Sequence, residues 1–465
     1  AIRLLSWWTI DHAFIQAVLV VAITCAFGIA YFARRELAWT LLATELALGG
    51  AGNFFQFAGL SLRTILLGTF LVLSVFFAWY KKTKHGSIHW LAFIGGTVCL
   101  AIMWAAPQGL LLNNSFAAIV ADVIPFAYLL LVLPLSGFKL NKFERNYLLR
   151  LGIAWLIGTA LFATLVFGLY VSGTNELHDL FYQWLRDVAG AKITFLAPWF
   201  YRIVFPEQLL LVPAALICLS LLMRRDAPHW KWWWLYGFAA LSMALNFSRG
   251  YFLGLFVGTI VLLWNHRPVH WFKVSSMAAI SLVFIFTAVC LISSRGSQTG
   301  LPLLTGRVAS IGAPTQETSS ATRLLLLPII KTKIATHPLA GNGLGSTVTF
   351  YDPYLGRSIT TGSYDWGYLE LWSELGIGAL AYLSLWVATI ILLIKKIRAG
   401  LVDTDVILGI LAGLVALLVI ALTTPALFHV FGTVYLGAAI ALVLQPVSRL
   451  RTLTHVVANF FHHLR

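Results

Sequence analysis

The chain has 465 residues, of which 60% are hydrophobic and 11% charged, with a formal net charge of +15. So much apolar side chain cannot be hidden in the core of a water-soluble domain, which predicts an all-α polytopic membrane protein, a single integral membrane domain over residues 1–465. The positive charge does not point to nucleic acid: most Lys and Arg stand in short clusters at the ends of apolar runs, where the positive-inside bias puts them.

Runs of about 20 apolar residues, the length that crosses a hydrocarbon core of about 30 Å, recur along the chain. The first covers 13–32 and is followed by Arg34-Arg35; a weaker one, 37–57, contains Glu45; a third, 65–80, precedes Lys81-Lys82-Thr83-Lys84. With both basic clusters in the cytoplasm, the N-terminus lies outside. No cleavable signal is visible, so the spans themselves direct insertion.

Spans follow at 88–106, at 116–135 with Asp122 inside it, and at 148–171. An intramembrane carboxylate is either a site or a hydrogen-bonded partner of a neighbouring helix, and both readings stay open for Asp122. The connector from Ser172 to Gln208 holds ELHDLFYQWLRDVAG, an amphipathic stretch that turns Phe181, Trp184 and Leu185 inward, and ends in WFYRIVFPEQ with Arg202 and Glu207 at the mouth of the seventh span. Arg224-Arg225 close that span, and HWKWWW reads as an interfacial belt.

The eighth span emerges at Asn246-Phe247-Ser248-Arg249-Gly250 and the ninth returns to His266-Arg267. An arginine in so short an outer turn opposes the positive-inside bias unless something anionic meets it. The tenth span, 274–292, opens into a long periplasmic loop, 293–364, containing short helices. Its Arg295, Arg307, Arg323, Lys331, Lys333 and Arg357 exceed Glu317 and Asp352 by four charges. The eleventh span starts near Asp365 and ends at Lys395-Lys396-Ile397-Arg398. A twelfth covers 406–422, an outer turn holds Pro425 and His429, and a thirteenth ends near Leu444. The tail, 446–465, reads as a cytoplasmic amphipathic helix, its His462 and His463 interfacial. The count is 12 or 13 transmembrane helices. Cys25, Cys99, Cys218 and Cys290 each lie in an apolar run with no pairing or ligand spacing, and no metal or other cofactor is expected.

In the loop, Ser319-Ser320-Ala321-Thr322 before RLLLLPIIKTKIAT reads as a capped helix with a kink at Pro328. HPLAGNGLG is a helix stop and a glycine-rich turn, which is either structural or a backbone that donates N–H groups to an oxyanion. Asp365, opening the next helix, is either a cap or a proton acceptor. Glu370 and Glu374 follow on that helix. His337, beside Pro338, is helix-end packing or an alternative base. Arg202, Arg249 and Arg323 on the outer surface, with one carboxylate at the same level, suit a lipid diphosphate, because guanidinium groups pair bidentately with phosphate.

These stretches resemble the O-antigen ligase and polymerase superfamily of membrane glycosyltransferases in four ordered places covering about the C-terminal 60% of the chain. RIVFPE (202–207) resembles the family's arginine followed by Pro-Asn, with Glu207 in place of Asn. NFSRGYFLGLFVG resembles its Ser-Arg-Gly segment. TRLLLLPIIKTKIATHPLAGNGLG is similar to its arginine, helix and His-Pro-Leu-x-Gly-x-Gly-x-Gly stretch. YDWGYLELWSELGIGAL is similar to its closing segment, with Asp365 and Trp366 where the ligases have His-Asn. An Asp at this distance before Glu-Leu-Gly is also similar to the shape-elongation-division peptidoglycan polymerases.

The resemblance implies a GT-C-like, metal-independent glycosyltransferase of the bacterial inner membrane, facing the periplasm. It implies as donor an undecaprenyl-diphosphate-linked glycan, embedded among membrane lipids. Arg202, Arg249 and Arg323 would bind the diphosphate, and Asp365 would take the acceptor's proton, with Glu207 and His337 in reserve. A polymerase uses another lipid-linked glycan as acceptor; a ligase uses lipid A-core or another hydroxyl. The alternative from another class is a transporter or flippase of the same lipids, for which only Glu45 and Asp122 stand as midplane candidates and no internal repeat is visible.

Overall fold

The computed structural model describes residues 2–9, 12–49, 53–57, 59–81, 89–138, 140–177, 179–224, 229–312, 318–353, 356–400 and 404–445. The tail 446–465, with His462 and His463, lies outside them, as do Lys82, Lys84, Arg225 and Glu317.

The chain is mostly helical, because long apolar segments free of water must satisfy every backbone group internally. In order come α1 (Ile2–Trp8), α2 (Ala13–Ala33), α3 (Arg35–Gly49), a small hairpin of β1 (Gln56–Phe57) and β2 (Leu60–Ser61), α4 (Leu62–Lys81), α5 (His89–Leu111), α6 (Phe116–Ala127), α7 (Val132–Gly137) and α8 (Lys142–Val171). Next are α9 (Leu180–Asp187), the hairpin β3 (Lys192–Ala197) and β4 (Phe200–Val204), a 3-10 turn (Pro206–Leu210), α10 (Leu211–Leu222), α11 (His229–Asn246), α12 (Arg249–Leu262) and α13 (Pro268–Ser293). The long segment then contributes α14 (Leu301–Gly312), α15 (Thr318–Thr336) and the hairpin β5 (Val348–Asp352) and β6 (Arg357–Thr361). The chain continues with α16 (Gly367–Leu375), α17 (Gly378–Arg398), α18 (Thr404–Ile420) and α19 (Val430–Leu444).

Six helices among the described residues are long and apolar enough to cross a membrane: Ala13–Ala33, Ile94–Leu111, Phe116–Ser136, Lys142–Val171, Pro268–Ser293 and Gly378–Arg398. Five further apolar helices, in α4, α10, α12, α18 and α19, are shorter. The expected eleventh span is two helices rather than one: Gly376, at φ 55°, ends α16, and Ile377 N–H turns out of the helix to Leu339 O at 2.9 Å. Side chains such as Phe14, Ile29, Met103, Phe284 and Ile292 are at least 70% exposed, a surface suited to lipid rather than water.

The interior is built on α18, which packs against both α10 and α12. Small residues allow this: a Cβ on Gly254 of α12 would stand 3.0 Å from Ala416 O, and one on Gly409 of α18 would stand 2.7 Å from Ile217 Cα. Between helices in lipid such close backbone approach gains dispersion energy where no hydrophobic effect operates. A second apolar core gathers α2, α3, α4, α8, α9 and the β3–β4 hairpin. Here the stretch expected to turn inward does so: Trp184 and Leu185 of α9 are buried, and Trp184 meets Trp7 edge-on at 5.8 Å.

The glycine-rich stretch after α15 locks the long segment onto the bundle. Five consecutive amides are committed to protein acceptors: Gly341 to His337 O (2.9 Å), Asn342 to Ser373 O (2.7 Å), Gly343 to Glu374 O (3.1 Å), Leu344 to Ala105 O (3.0 Å) and Gly345 to Asp122 Oδ2 (2.7 Å). Asn114, between α5 and α6, donates to Asn342 O and Leu344 O. The Asn342 amide donates to Lys333 O and accepts from Thr336, which ties the turn to the end of α15. Of the two roles open to this turn the structural one holds: no N–H from 341 to 345 is left to offer a ligand. Asp122 is likewise engaged as a partner, its Oδ2 accepting from Gly345 N–H.

Gly343 shows why this turn needs glycine. Its φ is +74°, and an added Cβ would overlap the backbone of Gly109. Gly356 also has positive φ (+63°) but nothing within 4 Å of a Cβ. Gly356→Ala is expected to cost about 1 kcal/mol for backbone strain alone. Gly343→Ala adds overpacking of about 1–3 kcal/mol, so thermal unfolding in detergent should separate the two; equal melting temperatures would refute the clamp.

Candidate functional site

Connectors from four parts of the chain meet around one cavity of about 450 Å³, partly open to its surroundings. Lys192 and Thr194 come from β3, Arg202 and Val204 from β4, Phe205 and Pro206 from the turn after it, and Tyr251 from α12. Arg323 comes from α15, Ser363 and Asp365 from the strand-to-helix link, and Pro425 and His429 from the turn between α18 and α19. Of the six residues singled out in the sequence, three are here: Arg202, Arg323 and Asp365.

Arg202 reaches the cavity because it sits in a hairpin. KITFLA and FYRIV pair antiparallel around Pro198-Trp199, with Thr194 opposite Arg202 and a register shift between Phe195 and Ala197. The guanidinium Nε donates to Asn246 O at 2.8 Å, which leaves both terminal nitrogens without an acceptor among the described residues. Burial, then the nearby charge of Arg307, pulls its pKa down to about 10; Arg323 adds to this, while Tyr251 and Asp365 oppose it. Arg202 remains a cation at neutral pH, but one whose charge is held at a cost that an anion would offset.

Arg307 was seen in the sequence only as a loop charge. It lies over the Phe247 ring at 5.5 Å, and Phe247 stacks on Phe286 at 4.8 Å between centroids, so an aromatic platform carries it close to Arg202. Lys192 was missed too. Nothing in its spacing marks it, and only the pairing of β3 with β4 brings it beside Arg202.

Asp365 is held in a conformation its residue type adopts rarely, with φ at 56°. It is not a helix cap: Trp366 occupies the N-cap of α16, and no side chain caps that end. The Asp365 carboxylate instead accepts from Arg323 Nε at 3.3 Å, with 39% of the side chain still exposed. Bonds on either side fix the turn. Tyr364 N–H donates to Glu370 Oε2 at 2.7 Å, Tyr364 OH bonds to Ser346, and Trp366 Nε1 donates to Arg323 O at 3.1 Å. Glu370 is thus a brace for the link, and Trp366 fastens α15 to it. Strain of about 1–3 kcal/mol, over-determined by its surroundings, is a feature of functional positions.

The other three candidates are elsewhere. Arg249 opens α12 but does not line the cavity. Glu207 is 2% exposed and is turned to Arg3, whose guanidinium it meets at 2.5 Å and which lies over Phe162 at 4.3 Å. His337 follows α15, where its carbonyl accepts from Gly341, and it does not line the cavity. For both, the reserve role of base is met by a side chain engaged in, or next to, structural bonds.

The result is a cavity with one exposed carboxylate and a surplus of cations, able to take an anion beside a group that accepts a proton. No cluster of three or more His, Cys, Asp or Glu arranged for a metal occurs among the described residues. Comparison with protein-family models and with curated proteins finds no match for the chain, so what this site does has to be read from its own residues.

The strain at Asp365 separates stability from function. Asp365→Gly relieves a left-handed backbone and loses one half-exposed ion pair worth about 0–1 kcal/mol. It is expected to melt at or above the wild-type temperature while Asp365→Val melts below it. A lower melting temperature for Asp365→Gly than for Asp365→Val would show that the residue is kept for stability.

Proposed function

We propose that this chain is a glycosyltransferase of the bacterial inner membrane that polymerises undecaprenyl-diphosphate-linked glycans, with the cavity facing the periplasm. The observation that carries this reading is the meeting of Arg202, Arg323 and Asp365 in one cavity from three connectors distant in sequence. In this reading the segment between α13 and α16 is the periplasmic loop, and the arrangement is GT-C-like. The resemblance of RIVFPE, the α15 stretch and the Asp365 segment to the O-antigen ligase and polymerase superfamily supports it.

The donor's diphosphate sits against the terminal nitrogens of Arg202 and Arg323. A hydroxyl of the acceptor glycan attacks the anomeric carbon of the donor. The new carbon–oxygen bond forms as the bond to the diphosphate oxygen breaks, with the electron pair leaving on the lipid diphosphate. Asp365 takes the hydroxyl proton. Charge grows on the leaving diphosphate in the transition state, and guanidinium groups already desolvated stabilise it without reorganising. The Asp365–Arg323 contact, single and long, places the proton acceptor next to the anion site and fixes its direction.

Polymerisation is favoured over ligation by the resemblance, because Asp365 stands where the ligases have His and an Asp at this distance before Glu-Leu-Gly is similar to the shape-elongation-division peptidoglycan polymerases. Purified protein incubated with labelled undecaprenyl-diphosphate oligosaccharide is expected to give a ladder of products without any added acceptor. Asp365→Asn should lower the rate by about 10²–10⁴-fold, and Arg202→Ala or Arg323→Ala should lower kcat/KM by about 10–10²-fold, while His337→Ala stays within about threefold. Product only on an added acceptor would make the chain a ligase. Loss of activity in His337→Ala with retention in Asp365→Asn would overturn the assignment, and movement of intact lipid across liposomes without new bonds would make it a flippase.

A further inference from the structure

The turn between α18 and α19 puts a histidine into the cavity that the reaction above does not use. His429 is the N-cap of α19: its Nδ1 accepts from Phe431 N–H at 3.4 Å, and its ring stacks on Phe431 at 5.9 Å between centroids. Its backbone is fixed at both sides, N–H to Pro425 O at 3.1 Å and C=O from Thr433 N–H at 3.0 Å. With Nδ1 accepting, the ring proton belongs on Nε2. That N–H has no acceptor among the described residues, and the side chain lines the cavity with Asp365, Arg202 and Arg323.

We propose that His429 determines specificity in this cavity by donating its Nε2–H to a neutral oxygen of the glycan, a hydroxyl or an amide carbonyl, beside the phosphates held by Arg202 and Arg323. This rests on the reading of the cavity as a lipid-diphosphate glycan site. Its ring is suited to a neutral partner: burial, with the Arg63 charge nearby, pulls the imidazole down to about 4, so that it serves as an uncharged donor. The cations with free terminal nitrogens take the phosphates, leaving the imidazole to read the sugar. A site built to hydrogen-bond a substrate hydroxyl rejects analogues without it far better than an apolar wall does.

The two amide substitutions divide the ring's tasks. Asn keeps an oxygen where Nδ1 caps α19 but does not reach the Nε2 position; Gln reaches that position and weakens the cap. The full-length protein is titrated with bare undecaprenyl diphosphate and with the same lipid carrying one N-acetylhexosamine. His429→Asn is expected to bind the sugar-bearing lipid about tenfold more weakly and the bare lipid as the wild type does, while His429→Gln stays within about threefold on both.

Equal losses on both lipids, no loss on either, or Gln weaker than Asn would each overturn the proposal and leave His429 as a helix cap. Bare lipid held by the wild type, and released on Arg202→Ala, together with sugar discrimination indifferent to His429, sinks this proposal alone. Bare lipid unbound while His429 still discriminates the sugar sinks the diphosphate reading alone. Wild type binding neither lipid sinks both.

Discussion

The cavity depends on how the segment between α13 and α16 is fastened. Such a long connector loses much conformational entropy on being fixed, which its small apolar cluster of Leu326, Ile330, Val348, Phe350 and Tyr364 offsets in part. The hydrogen bonds of residues 341–345 supply the fastening: the backbone here enters a groove between α5, α6 and α16 so closely that a Cβ on Gly343 would overlap Gly109 and one on Gly109 would overlap Leu344 O. Each bond contributes about 0.5–1.5 kcal/mol net, but the alternative is worse, since an unpaired amide at that depth costs about 1–3 kcal/mol. The clamp is therefore close to all-or-none. It fixes the end of α15 through Asn342 and the end of α16 through Ser373 and Glu374; α15 carries Arg323, and the link that leads into α16 carries Asp365.

The clamp and the cavity use polar groups in opposite ways. At the clamp each backbone N–H from 341 to 345 has a protein acceptor, and none of these amides remains for a ligand. In the cavity Arg202 spends only Nε on the protein, Arg323 only Nε, and His429 only Nδ1, so each keeps a donor facing open space. Side chains held by one edge with the other edge free are pre-organised, and the cost of orienting them is met in folding rather than at binding. The charge surplus has the same character. Arg202 and Arg307 repel each other in a partly dry site, a state that is stable only because the surrounding clamp and hairpin impose it, and that an anion relieves.

How much of this the sequence discloses follows from the contrast between scarce charges and common glycines. Arg202, Arg323 and Asp365 stand out because few charged residues interrupt this chain, and the structure brings all three together. Arg249 stands out for the same reason yet opens α12 outside the cavity lining. Glu207 is the clearest misreading: its partner Arg3 is 204 residues away, and nothing local signals that pairing. Hairpin β3–β4 lies within what the sequence shows only as a connector, although KITFLA and FYRIV flank a Pro-Trp turn; in a chain this apolar, alternation is hard to see. The apolar helices are legible from hydropathy, although only six of the described ones, against the 12 or 13 spans expected, have the length and composition to cross a membrane; the break at Gly376 is not legible, because the apolar run continues through it.

Asp365 shows why the two kinds of region have to be adjacent. A left-handed aspartate beside Arg323 is poor design for stability, since glycine would fit the backbone better and an exposed ion pair returns little. Its persistence needs neighbours that leave the turn no other arrangement. Glu370 holds Tyr364 on one side, Trp366 holds the α15 backbone on the other, and both α15 and α16 end in the glycine clamp. The ion pair between Asp365 and Arg323 is single and long, 3.3 Å from Arg323 Nε to Asp365 Oδ2, and not the closer bidentate pairing that an arginine and a carboxylate can make, so both side chains keep part of their surface in the cavity lining.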